Sequence, residues 1–352
     1  MRFSYKPCLV NVPLGDPALY LEFLREKRAF LFDLGDLSPL SNKQLLKVSH
    51  VFVSHTHVDH FIGFDQLLRV SLGRPKTITV FGPPGILRNV QGKLQGYSWN
   101  LVENYEESLI IKVVEVQPAK IISARFSCFH KFVLEDEKTQ NRRDNVLLEE
   151  SSFRVTSVFV NHQMPVLAFS FQERFHINIK KNELSQRKWP SGPWLDELKK
   201  AIYEKRDDDF AINIRPPGKK SKLILTIPLG DLRNSLVNYS PGQKISYVTD
   251  MLFEEKGVKD VVELANGSHI LFIEAAFLQK DEKLAAEKYH LTATQAGTIA
   301  GMAGVHSFQV FHFSPKYTGE EQQLEREALE AYKRNYRESD YIRQTQNVAK
   351  RR

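Results

Sequence analysis

Cysteine is the rarest residue in this chain, with only Cys8 and Cys128 among 352 positions. Two isolated thiols exclude a disulfide scaffold and a Cys-rich zinc module. Both read as reduced, which predicts a cytoplasmic protein. No apolar stretch reaches the roughly 20 residues of a membrane-spanning helix. Residues 1–12 lack the basic-then-apolar pattern of a secretion signal, so no membrane contact is expected. Internal repeats, low-complexity tracts and flexible linkers are also missing, which leaves one compact unit as the simplest organisation. Hydrophobic residues make up 42% and charged residues 26%, ordinary for a globular fold. The net charge of +7 fits a polyanionic partner, and equally a basic surface kept for solubility.

What the chain does contain is an alternation of strand and helix patterns. Apolar, β-branched or aromatic runs predict strands at 28–33, 48–53, 76–81, 109–116, 121–130, 153–160, 166–171, 223–229, 245–249, 269–273 and 308–313. Helical spacing predicts helices at 41–47, 63–72, from Ile86 onward, and at 284–302. Residues 81–85 (FGPPG) form a strong turn signal between strand and helix. The charged stretch 135–145 reads as an exposed hairpin tip. The expected organisation is a single α/β domain over 1–352, with an inserted arm at 175–222 and a charged helical tail at 318–352. Sheets covered by helices follow from strands alternating with helices.

The most informative stretch is Ser54-His55-Thr56-His57-Val58-Asp59-His60, directly after a predicted strand. Four metal-capable side chains within six residues can converge on one pocket. Neutral imidazole and carboxylate suit zinc or a related ion. His162, Asp250 and His312 each lie at or near the end of a predicted strand. Taken singly, such residues read as turn or cap residues.

The order H-x-H-x-D-H, His, Asp, His resembles the metallo-β-lactamase superfamily. Within it the chain is similar to ribonuclease Z, over about residues 30–317. Further segments carry that resemblance: the strand before His162, Trp189-Pro190-Ser191-Gly192-Pro193-Trp194, and Tyr247-Val248-Thr249-Asp250. Ile273-Glu274-Ala275-Ala276-Phe277 resembles a His-Glu-Ala-Thr-Phe run, and Tyr289-His290-Leu291-Thr292 a His-Ser-Thr motif. Phe311-His312-Phe313-Ser314-Pro315-Lys316-Tyr317 resembles a closing segment that carries Arg where this chain has Lys316.

The resemblance implies an αββα sandwich of two mixed sheets with helices outside. It implies two Zn²⁺ ions, with Mn²⁺ or Fe²⁺ compatible with the same ligands. His55, His57 and His162 would hold one ion, Asp59, His60 and His312 the other, and Asp250 would bridge them. Hydroxide generated between the metals would attack a phosphodiester. Asp59 would orient that nucleophile or take its proton. A Glu274–His290 pair would supply an imidazolium for the phosphate or the leaving oxygen. The implied activity is endonucleolytic removal of the 3′ trailer of precursor tRNA, and the implied assembly is a homodimer. A hydrolase of another small phosphodiester or ester is the alternative, since the motifs around the ligands are altered.

Other candidates have plainer readings. His50 is expected to pack at a strand edge, and His130, His176, His269 and His306 to be structural or superficial. Lys199, Lys200, Lys219, Lys220 and Lys222 are candidate RNA contacts or simply a solvated face.

Overall fold

The computed structural model describes residues 4–105, 108–215 and 224–337. The first half of the chain folds into an eight-stranded sheet in sequence order. Its strands are β1 (Tyr5–Leu9), β2 (Leu19–Phe23), β3 (Ala29–Phe32), β4 (Val48–Phe52), β5 (Lys76–Gly82), β6 (Leu109–Val116), β7 (Lys120–Ser127) and β8 (Leu134–Asn141). Strands β3 to β6 run parallel, and the flanking pairs are antiparallel.

The second sheet has six strands in the order β18-β17-β16-β11-β10-β9. They are β9 (Val146–Glu149), β10 (Phe153–Asn161), β11 (Pro165–Glu173), β16 (Lys244–Val248), β17 (Ile270–Glu274) and β18 (Phe308–Phe311), with β16 to β18 parallel. Between β11 and β16 the chain leaves this sheet. It forms β12 (Phe175–Ile179) paired with β15 (Val237–Pro241), and β13 (Ala211–Ile214) paired with β14 (Leu225–Pro228). This segment has its own apolar cluster around Trp194, Leu198, Ile202, Leu232 and Leu236. The run expected to rejoin the core at 223–229 therefore belongs to the insertion.

Side chains alternate across each strand, so each sheet has two apolar faces to cover. Phe30, Phe32, Phe52 and Phe81 of the first sheet meet Phe153, Phe169, Phe171, Tyr247 and Phe272 of the second. Each such side chain contributes about 1.5–3 kcal/mol of burial. The opposite face of the first sheet, with Leu31, Val51 and Val80, packs on helices Phe64–Ser71 and Ile86–Gln95. That of the second, with Ala168, Val248 and Ile273, packs on helices Glu255–Ala265 and Ala293–Met302. The result is the αββα sandwich expected.

Four local expectations are corrected. The charged stretch at 135–145 is no hairpin tip: β8 is an edge strand paired to β7 on one side. Solvent on both its faces removes the need for apolar alternation, and charge protects the open edge. The helix expected over 284–302 is broken into Glu282–Glu287 and Ala293–Met302. Thr292 starts the second piece with a reciprocal capping box to Gln295. His50 lies on β4, inside the sheet, and stacks toward Phe52 and Phe81. Burial, reinforced by the Arg28 guanidinium, pushes its pKa down to about 4.

The charged stretch from Thr318 is only partly a tail. Helix Glu321–Asn335 buries Leu324, Ala328 and Ala331 against helix Ala293–Met302. A Cβ on Gly297 would sit 2.0 Å from the carbonyl oxygen of Ala328, so the two helices cross backbone to backbone there. Residues 338–352, including Lys350, Arg351 and Arg352, lie outside the described residues. Gly297→Val is expected to cost about 1–3 kcal/mol or more by overpacking that crossing. Urea denaturation would read the loss, and an unchanged midpoint would mean the two helices do not dock this closely.

Candidate metal centre

The parallel strands of both sheets deliver their carboxyl ends to one edge of the sandwich, where open α/β sheets hold ligands. After β3 comes Asp33, after β4 the loop of His55 and His57, and then the short helix Val58–Phe61 with Asp59 and His60. After β16 comes Asp250, at the end of β17 Glu274, and after β18 His312. His162 sits in the turn between β10 and β11. Asp33, Asp250 and His312 have φ of 59°, 45° and 60°. Asp and His tolerate this left-handed region better than most residues. Each kink lies within two residues of its strand's end, where the chain turns toward the site.

All nine residues that the sequence marks as metal ligands or acid–base groups are brought to this edge. Ligand atoms of His55, His57, His162 and Asp250 lie within 4.8 Å of one another, and so do those of Asp59, His60 and His312. Asp250 stands between the groups. Its Oδ2 is 3.5 Å from His55 Nε2, 3.4 Å from His60 Nε2 and 3.5 Å from His162 Nε2, and its Oδ1 is 2.9 Å from His312 Nδ1.

Outer hydrogen bonds fix the ring orientations. His60 Nδ1 donates to Asp33 Oδ2 at 2.9 Å, and His162 Nδ1 to the Tyr289 carbonyl at 2.8 Å. His55 Nδ1 lies 3.1 Å from Ser54 Oγ. The Nε2 atoms of His55 and His60 are buried without a hydrogen-bond partner. A buried polar atom left unpaired is costly. Imidazoles and carboxylates converging on unpaired nitrogens are the donor set that a transition-metal ion satisfies. The centre therefore fits metal binding.

Electrostatics divide the site. Burial, with neighbouring imidazoles, holds His55 and His57 below the usual histidine range, in the neutral form that ligates metal. Burial also opposes charge on His60 and His312. There the carboxylates outweigh it, Asp250 foremost, and raise both well above that range. Burial would raise the Asp59 carboxyl, yet His312 and His60 keep it below the usual carboxylate range. Glu274 is fully buried and accepts from His290 Nδ1 at 2.7 Å and from Met251 N at 2.7 Å. Burial would keep His290 neutral, and Glu274 reverses this and raises it.

Sequence reasoning missed Asp33. This fully buried carboxylate accepts from Ser54 N, Ser54 Oγ, Tyr247 Oη and His60 Nδ1. An acidic residue closing the apolar run Phe30-Leu31-Phe32 was its only signal. Asn89, on the helix after the FGPPG turn, donates to Thr56 Oγ1 at 2.6 Å and ties down the histidine loop. Lys199, expected to face solvent or RNA, is buried and donates to the Ile177 carbonyl at 2.8 Å. Lys200 is exposed and lies 3.8 Å from Glu204, while Lys219, Lys220 and Lys222 are outside the described residues.

No family model matches the chain. It is 28% identical over 314 residues to the ribonuclease Z of Deinococcus radiodurans, covering 88% of this chain and 90% of that one. It is 26% identical over 322 residues to the ribonuclease Z of Nanoarchaeum equitans, covering 90% and 81%. Among solved structures it resembles YhfI of Bacillus subtilis, a metallo-β-lactamase fold protein. The TM-score is 0.53 at 14% identity, over 94% of this chain and 93% of that one. The fold is thus the metallo-β-lactamase fold.

Asp33→Asn removes the charge behind His60 and is expected to weaken metal binding about 10–100-fold. Competition with a chromogenic chelator would measure this at unchanged secondary structure. Wild-type affinity in the variant would show that Asp33 does not support the centre.

Proposed function

We propose that this chain is a metal-dependent phosphodiesterase of the ribonuclease Z type, an endonuclease that removes the 3′ trailer of precursor tRNA. The observation that carries the proposal is the convergence of the two ligand groups on Asp250 in a chain that resembles ribonuclease Z over nearly nine-tenths of its length. Two zinc ions are the proposed cofactors. His55, His57 and His162 would hold one, Asp59, His60 and His312 the other, with Asp250 shared. When bound, zinc supplies Lewis acidity toward the phosphoryl group and a nucleophile from water at neutral pH.

The chain's own groups do the rest. The Asp59 side chain is 42% exposed, so its carboxylate faces the approaching substrate and can align the attacking water or take its proton. The ring of His290 stands 4.8 Å from that of His162 and 5.5 Å from that of His312, beside both ligand groups. Glu274 occupies its Nδ1 and stabilises the imidazolium, which leaves Nε2 to donate a proton to the departing oxygen. Backbone amides of Met251 and Leu291 hold Glu274 in place. The proposed assembly is a homodimer and the proposed compartment the cytoplasm. No helix among the described residues is long and apolar enough to cross a membrane.

Zinc-loaded protein is expected to cut a 3′-extended precursor tRNA once, next to the mature 3′ end, with Asp59→Ala inactive in gel assays. Turnover of a small chromogenic phosphodiester without any cut in the tRNA would move the function to small diesters. His290→Ala is expected to lose about 10²–10⁴-fold in kcat, the usual worth of a positioned acid. Because the acting form is protonated, activity should fall as pH rises through the raised pKa of His290. Glu274→Gln should shift that alkaline limb to lower pH. A limb that stays put in pH–rate profiles of this variant would remove His290 from the role of acid.

A further inference from the structure

A cavity of about 440 Å³ opens beside the centre, lined by His57, His162, Gln163, Met164, Glu287, Lys288 and Tyr289. Its size is within the range of small-molecule sites. Two of its walls belong to the first ligand group, so whatever fills it lies next to the proposed metal centre. The other walls are built by two unrelated segments. One is the β10–β11 turn, with Gln163 in the left-handed region at φ 57°. The other is the break between helices Glu282–Glu287 and Ala293–Met302, with Tyr289 at φ 58°. The hydrogen bond from His162 to the Tyr289 carbonyl joins them.

The lining selects a class of ligand. Glu287, Lys288 and Gln163 are exposed, and Met164 and Tyr289 are partly covered. Glu287 disfavours a second phosphate in the same space. One ammonium, one carboxylate and one amide together offer both donors and acceptors, as the edge of a flat heterocycle requires. Met164 and Tyr289, both partly covered, are the lining residues with apolar surface for such a ring to rest against. Lys288 and Tyr289 directly precede His290 in the chain, so the cavity lies on the side of the proton donor.

We propose that this cavity is a nucleoside subsite that receives the base of the nucleotide whose oxygen departs, with Gln163 and Lys288 as specificity-determining residues. The assignment of the departing side rests on the role given to His290 above.

The test is calorimetric binding to the zinc-loaded full chain, which needs no turnover. The probes are cytidine 5′-monophosphate, cytidine 3′-monophosphate, ribose 5-phosphate and inorganic phosphate. At least one nucleotide is expected to bind about tenfold more tightly than ribose 5-phosphate, a typical worth of base stacking and edge contacts. That gain should fall below about threefold, half of the tenfold factor on a logarithmic scale, in Gln163→Gly and in Lys288→Ala. Gly accepts the same φ, and Lys288 has no ion pair among the described residues, so both variants should fold. If neither nucleotide gains over ribose 5-phosphate, or the gain survives both substitutions, the subsite is refuted. Precursor tRNA cut normally alongside that result would sink the subsite alone. Nucleotide binding with no cut in the tRNA would sink the proposed function alone.

Discussion

One buried carboxylate organises this molecule. Asp250 is 2% exposed and has four imidazole rings within 3.5 Å. Burial would protonate it, and the positive character of His312 and His60 prevents this and holds it well below the usual carboxylate range. An ionised group in such a place is tolerated only when it is fully compensated. Compensation here comes from both sheets: His55 and His60 follow the first, His162 and His312 the second. The face-to-face packing of aromatic side chains between the sheets therefore fixes the distances at the centre. Asp33 does for His60 what Glu274 does for His290: a buried carboxylate orients the ring from behind.

Much of this was legible in the sequence because strand ends and ligand types coincide. The run from His55 to His60 announced itself by density, and the predicted strands at 245–249 and 308–313 marked Asp250, just after the first, and His312, near the end of the second. Asp33 was hidden because one acidic residue after a strand looks like any turn. The break at Lys288–Thr292 was hidden for another reason. Apolar spacing continues through it, and only the Thr292/Gln295 pair marks a new helix start. Edge strand β8 was hidden because its stability comes from one ladder and not from a buried face.

The altered motifs also find a physical account. Ile273 and Leu291 are fully buried, Ala276 is 4% exposed, and all three pack in the helix-covered core of the second sheet. Alternation along β17 points Ile273 toward the helices and Glu274 toward the centre. The departures from the ribonuclease Z pattern at these positions therefore change packing and leave Glu274 and His290 in register. Lys316 pairs with Asp281 at 2.8 Å. An ammonium held by that carboxylate offers a point charge and not the paired donors of a guanidinium.

The proposed function requires two ions at this edge that share Asp250. Anomalous diffraction at the zinc edge from crystals of the zinc-loaded protein tests it directly. Two peaks about 3.5–4 Å apart are expected. One should lie among His55, His57 and His162, and the other among Asp59, His60 and His312, with Asp250 touching both. A single peak, or peaks away from Asp250, would contradict it.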